Sequence, residues 1–111
     1  MKRMVRPSPE FYIDEAAIDQ LLEGQPRRKN GKLRYLYAVC EKLGWNAPRF
    51  LDAASGGHRL RYLCETSEDA QEVIEDIQRA CQELGIECIR PSVKPTWDGF
   101  YAYCVIPDYN G

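Results

Sequence analysis

A chain of 111 residues with 44% hydrophobic and 29% charged residues has the size and balance of one folded domain, residues 1–111. No run of about 18 apolar residues occurs, which excludes a spanning helix, and no apolar stretch follows Met1-Lys2-Arg3, which predicts no secretory leader and a cytoplasmic location. The net charge of −2 conceals a split: residues 1–61 carry 12 Lys and Arg against 7 Asp and Glu (+5), and residues 62–111 carry 3 against 10 (−7). Either the two halves neutralise each other in the fold, or one of them meets a partner, a second copy of the chain included.

Met4 to Glu10, with Pro7 and Pro9, reads as extended, and Phe11-Tyr12-Ile13 as an edge strand or a hydrophobic anchor. Asp14 is the N-cap expected for a short helix through Glu23, with Ala17, Ile18, Leu21 and Leu22 on its apolar side and Gly24 as its stop. The loop Gln25 to Gly31 opens the strongest basic cluster of the chain. Arg27, Arg28, Lys29, Lys32 and Arg34 place five cations within eight positions, and Tyr35 and Tyr37 follow directly. Cations beside aromatic rings suit nucleic acid, because they neutralise phosphates while the rings stack on bases. A solvated basic loop is the plainer reading of the same residues.

Lys32 to Leu43 carries Leu33, Leu36, Tyr37, Cys40 and Leu43 at helical spacing before Gly44. The segment is read as a second helix, although Lys32-Leu33-Arg34-Tyr35-Leu36 echoes the strand-like His58-Arg59-Leu60-Arg61-Tyr62-Leu63. The loop of about seven residues between these two helices is too long for a helix-turn-helix, whose turn has about 3–4. Trp45 is expected to pack under the following turn. Pro48 opens a short helical turn through Ala54, and Ser55-Gly56-Gly57 reads as a joint into the first strand, Leu60 to Glu65.

The clearest element follows. Ala70, Val73, Ile74, Ile77, Cys81 and Leu84 form one helical stripe from Ser67 to Leu84, capped by Thr66 and stopped by Gly85. Its outer faces carry Glu68, Glu72, Glu75, Asp76 and Glu83. Ile86 to Arg90 reads as the second strand, Pro91 and Pro95 as keeping a loop irregular up to Asp98-Gly99, and Phe100 to Ile106 as the third strand. A crossover followed by a hairpin places the third strand antiparallel between the other two.

The fold class is therefore α+β: two N-terminal helices (residues 1–57, basic and mainly helical) precede an acidic strand-helix-strand-strand unit (residues 58–111). The unit has the half-ferredoxin-like arrangement of a small antiparallel or mixed sheet with helices packed on it. One helix covers one face of such a sheet, so the N-terminal half is expected on the other. The strand-helix-strand-strand order, with Leu84-Gly85-Ile86 closing the helix, resembles the second half of LAGLIDADG-type homing endonuclease domains over about the last fifty residues. The acidic helix motif that holds the metals in that family is missing, so no catalytic residue carries over.

Cys40, Cys64, Cys81, Cys88 and Cys104 are odd in number and form no CxxC pair, so they read as reduced core thiols, and no metal or other cofactor is indicated. His58, the only histidine, offers a general base in the alternative of an uncharacterised enzyme, but sequence names no partner for it. No GxSxG elbow surrounds Ser55, and no GxxxxGK[ST] loop occurs.

Two binding readings remain. The favoured one is a small non-enzymatic, protein-binding regulator or inhibitor, of the type phages and mobile elements carry, docking on a larger assembly that handles nucleic acid. Its anchors would be Trp97, Tyr101 and Tyr103, with Glu68, Glu72, Glu75, Asp76 and Glu83 meeting a basic partner. The other is a nucleic-acid-binding module using Arg27, Arg28, Lys29, Lys32, Arg34, Arg59 and Arg61, with Tyr35 or Tyr37 stacking on bases.

Overall fold

The computed structural model describes residues 12–25, 31, 33–45, 53–54 and 57–108. Among these, helices α1 (Glu15–Leu21), α2 (Arg34–Leu43) and α3 (Ser67–Leu84) pack with strands β1 (Ala53–Ala54), β2 (Gly57–Cys64), β3 (Ile89–Thr96) and β4 (Gly99–Pro107) in an α+β fold. The sheet order is β1-β2-β4-β3 with every neighbouring pair antiparallel. The last strand therefore lies between the two that flank α3, as the crossover-and-hairpin order predicts.

Helix α3 is set by its own ends. Thr66 accepts the Asp69 amide at 3.0 Å, and Glu68 and Asp69 place negative charge in the first turn. At the other end Gly85 turns left-handed (φ 73°) and the Ile86 amide returns to the Cys81 carbonyl at 2.9 Å. Helix α1 starts the same way, with Asp14 accepting from the Ala17 amide at 3.0 Å. The ambiguous segment is helix from Arg34 to Leu43, capped at Leu33 and closed by left-handed Gly44.

One core joins all three helices to one side of the sheet. Ile18 and Leu22 of the α1 region, Leu36 and Val39 of α2, and Ile77 and Leu84 of α3 meet Leu60, Cys104 and Ile106. Each fully buried leucine or isoleucine contributes about 1.5–3 kcal/mol. The expectation that the N-terminal half covers the second sheet face is thereby corrected for the described residues. Helices α1 and α2 pack beside α3 because its apolar stripe extends past the sheet and needs cover of its own. Ala70 and Ile74 cover the remainder of this sheet side, against Cys64 and Ala102.

Three further expectations change. Pro91 and Pro95 lie inside strand β3 rather than in an irregular loop, and the strand begins at Ile89 instead of Ile86. Proline is tolerated because β3 is an edge strand, where an amide can face away from the ladder, and Pro91 falls in the register shift between Ile89 and Ser92. Arg90, at the same irregularity, has φ 49°. Second, Ala53 and Ala54 are strand, paired with His58 and Gly57, instead of ending a helical turn; cross-strand hydrogen bonding outweighs the helix propensity of two alanines. Third, Tyr12 and Ile13 join no strand: Ile13 packs on the core, and the Asp14 amide bonds the Leu84 carbonyl at 2.9 Å. The anchor reading holds for Ile13, whereas Tyr12 is 82% exposed. The readings of Met4 to Phe11, Gln25 to Gly31 beyond its two ends, Pro48 to Asp52, and Ser55-Gly56 lie outside the described residues.

Candidate binding face

Side chains alternate across a strand, and the register assigns each one a side. Leu60 pairs with Cys104 and Tyr62 with Ala102, so these face the helices. Arg59, Arg61, Tyr101 and Tyr103 consequently face away from them. Across the β3–β4 hairpin, Ser92 pairs with Tyr103, Lys94 with Tyr101 and Thr96 with Gly99, which brings Ser92, Lys94 and Thr96 to the same side. A shallow recess of about 380 Å³ opens there, lined by Arg59, Arg61, Lys94, Thr96, Tyr101 and Tyr103, with Pro95 at its rim.

The cations of this face are organised around the two rings. Lys94 Nζ lies 4.0 Å from the centre of the Tyr103 ring, the Arg61 guanidinium lies 5.5 Å from that of Tyr101, and Arg59 Nε donates to the Tyr103 hydroxyl at 3.2 Å. Both ring contacts are diagonal, one from β2 and one from β3, so the tyrosines of the central strand are flanked by positive charge on both sides. No aspartate or glutamate is among the described residues that line the recess. Lys94 and Arg61 lie against tyrosine rings, Arg59 bonds a tyrosine hydroxyl, and no described carboxylate lines the recess they share, a setting that suits an anion.

The other candidate residues are dispersed. Arg34 is committed inside the protein: its guanidinium meets Glu15 at 2.6 Å and Asp19 at 2.8 Å, and its side chain is only 12% exposed. Burial works against its charge, but the hydrogen bonds it donates to Glu15 and Asp19 prevail and raise its pKa. Tyr35 is buried and donates to Glu15 Oε2 at 3.0 Å; burial, then that hydrogen bond, raises its pKa. Tyr37 is half-buried against the core. Arg27, Arg28, Lys29 and Lys32 lie outside the described residues.

Glu68, Glu72, Glu75, Asp76 and Glu83 are all exposed on α3, on the far side of the sheet from the recess. Asp76 pairs with Arg79 at 3.1 Å and Glu83 with Lys42 at 3.7 Å, while the Ser67 hydroxyl donates to Glu68 at 2.6 Å and lowers its pKa. Trp97 stands 94% exposed in the tight turn between β3 and β4. His58 shares the helix-facing parity of Leu60, and its Nδ1 is buried without a hydrogen-bond partner. It does not join the recess. All five cysteines are free thiols, four buried and Cys88 half-buried.

Lys94 is the member of the face that sequence reasoning missed. It lies between two prolines in a stretch read as a loop. The signal was the turn: a two-residue connection at Trp97-Asp98 puts Lys94 opposite Tyr101 by counting back from Gly99.

No helix among the described residues is long and apolar enough to cross a membrane. No family model matches the chain, and neither a curated protein nor a solved structure is found to match it.

Proposed function

We propose that the protein is a non-enzymatic binding module whose sheet face away from α1, α2 and α3 takes nucleic acid. One observation carries the reading: Arg59, Arg61 and Lys94 converge on a recess that also holds Tyr101 and Tyr103, and no described acidic residue lines it. Sequence reasoning set Arg59 and Arg61 in one reading and Tyr101 and Tyr103 in the other and missed Lys94; the strand register brings all five to one side of the sheet. The chain's acidity does not oppose this, because the carboxylates of α3 lie beyond the sheet and are screened over about 8–10 Å at moderate salt.

The test is binding of labelled nucleic acid across a salt series, with Arg59→Glu, Arg61→Glu and Lys94→Glu combined in a folded variant. Three phosphate contacts predict a log–log salt slope of about −2 on single strands, lost in the variant. No binding at low salt overturns the reading.

A second reading rests on the exposed row Glu68, Glu72 and Glu75, opposite the basic face. It is the small protein-binding regulator or inhibitor that docks on a nucleic-acid-handling protein, the acidic row occupying that partner's phosphate site and Trp97 anchoring the contact. Neutralising Glu68, Glu72, Glu75, Asp76 and Glu83 then weakens partner capture with the fold intact. An unchanged affinity removes this reading.

A further inference from the structure

We infer that the ligand of this face is single-stranded RNA, tracking along the β3–β4 hairpin with successive bases on Tyr103, Tyr101 and Trp97. The inference rests on the nucleic-acid reading above and specifies it. Tyr101 and Tyr103 stand two residues apart on the central strand and on one face, which spaces the two positions by about 6.6 Å. That is the reach of one nucleotide in an unstacked strand. Two residues beyond Gly99 the turn presents Trp97 at 94% exposure, an apolar ring with no cover among the described residues. Three aromatic platforms thus follow one another towards the hairpin tip. Leu63, 41% exposed on the same face and paired with Tyr101, widens the apolar floor.

The cations complete the track. Arg59 and Arg61 stand on the β2 side of the tyrosines and Lys94 on the β3 side. Lys94 and a base compete for the Tyr103 ring, and Arg61 and a base for that of Tyr101. The phosphate that arrives with each base gives the displaced cation its new partner. The exchange conserves electrostatic contacts and adds stacking, which favours unpaired bases over a duplex, whose base faces are already stacked. Ribose is selected over deoxyribose by two hydroxyls on this side, that of Ser92 and that of Tyr103, which accepts from Arg59 and keeps its own proton to donate to a 2′-hydroxyl.

The experiment uses the full chain with Trp45→Phe, which leaves Trp97 as the single indole. Oligouridylates of two to eight nucleotides, the matching oligothymidylates and an RNA hairpin stem are titrated while indole fluorescence is followed. Expected are saturable quenching by the oligouridylates, affinity that rises up to about three or four nucleotides and then levels, and at least about tenfold weaker binding of the stem. Tyr101→Leu and Tyr103→Leu are each expected to weaken binding by about 5- to 100-fold. Because Trp45 stacks on Tyr62 at 4.9 Å, anisotropy of labelled RNA with the unmodified chain and with Trp97→Ala serves if Trp45→Phe does not fold. Equal affinity for stem and single strand, insensitive to the ring substitutions but abolished by reversing the three cations, overturns this inference and leaves the nucleic-acid reading standing. Equal affinity for the deoxy oligomers overturns the assignment to RNA. No binding of any probe overturns both.

Discussion

Lys94 Nζ rests 4.0 Å from the centre of the Tyr103 ring while Arg59 Nε donates to the hydroxyl of the same tyrosine at 3.2 Å. One side chain on the central strand thus holds a cation from each flanking strand. The two contacts separate by substitution. Tyr103→Phe removes the hydroxyl contact and costs about 0.5–1.5 kcal/mol. Lys94→Met removes the cation over the ring and costs about 0.5–1 kcal/mol. Urea denaturation of each variant and of the pair measures both; a double-mutant difference well above the sum marks the three residues as one network.

Arg34 is the contrasting cation. Its guanidinium is nearly enclosed, whereas Glu15 and Asp19 are about half exposed, so the ion pairs are partly screened. Arg34→Met is expected to lower stability by about 1–2 kcal/mol through the lost charge-assisted hydrogen bonds, with nucleic-acid affinity unchanged. Denaturation and a binding titration of the same variant check the two halves. A large loss of affinity with little loss of stability would place Arg34 at the interface after all.

Gly85 and Gly44 share a left-handed conformation but not surroundings. A Cβ on Gly85 would run into the carbonyl of Tyr12, whereas one on Gly44 meets nothing within 4 Å. Gly44→Ala is expected to cost about 1 kcal/mol, the conformational term alone. Gly85→Ala adds a backbone collision where the N-terminal segment crosses the helix end, for about 2–4 kcal/mol in total. Thermal denaturation of the two variants side by side gives the difference.

Stability should fall in alkali. Tyr35 is raised by burial and the Glu15 hydrogen bond, Cys64 by burial and the nearby Asp69 charge, and Cys81 by hydrogen bonding to Cys88 and burial. Cys88 is lowered in turn to about 4 by its bonds with Cys104 and Cys81, which adds stability up to about pH 9 and nothing to the slope above it. Groups whose folded pKa exceeds the unfolded one contribute stability that is complete below the unfolded value and lost as pH rises through the folded value. At high pH the unfolded chain binds fewer protons than the native one, so the slope of stability with pH is negative. The decline begins near about pH 8.5–9 for the thiols and about pH 10 for the tyrosine. Urea midpoints from pH 7 to 11 follow it, and Tyr35→Phe flattens the upper part.

Much of the fold was legible wherever the deciding interactions are local. The stripe Ala70 to Leu84, its Thr66 cap and its Gly85 stop lie within a few residues of the bonds they form, so helix α3 is specified by its own segment, as is the Asp14 cap of α1. The Asp98-Gly99 turn equally announces the hairpin. The candidate site was legible only in pieces: Arg59, Arg61, Tyr101, Tyr103 and Trp97 stood out as residue types, but with nothing to say that they share a surface.

Tertiary structure decided what depends on neighbours distant in sequence. Whether Pro91 and Pro95 break a strand or sit in one turns on β3 lying at the sheet edge, which no residue of β3 encodes. Whether a basic side chain meets a ligand or the protein's own carboxylates turns on packing. Arg34 is taken by Glu15 and Asp19 of another helix, while strand register puts Arg59 and Arg61 on the sheet face away from α1, α2 and α3. The sequence by itself determined the three helices, the hairpin turn and the element order, but neither β1 nor the bounds of β3. Strand register and helix placement, set by burial of a shared core, decided which side chains stand together.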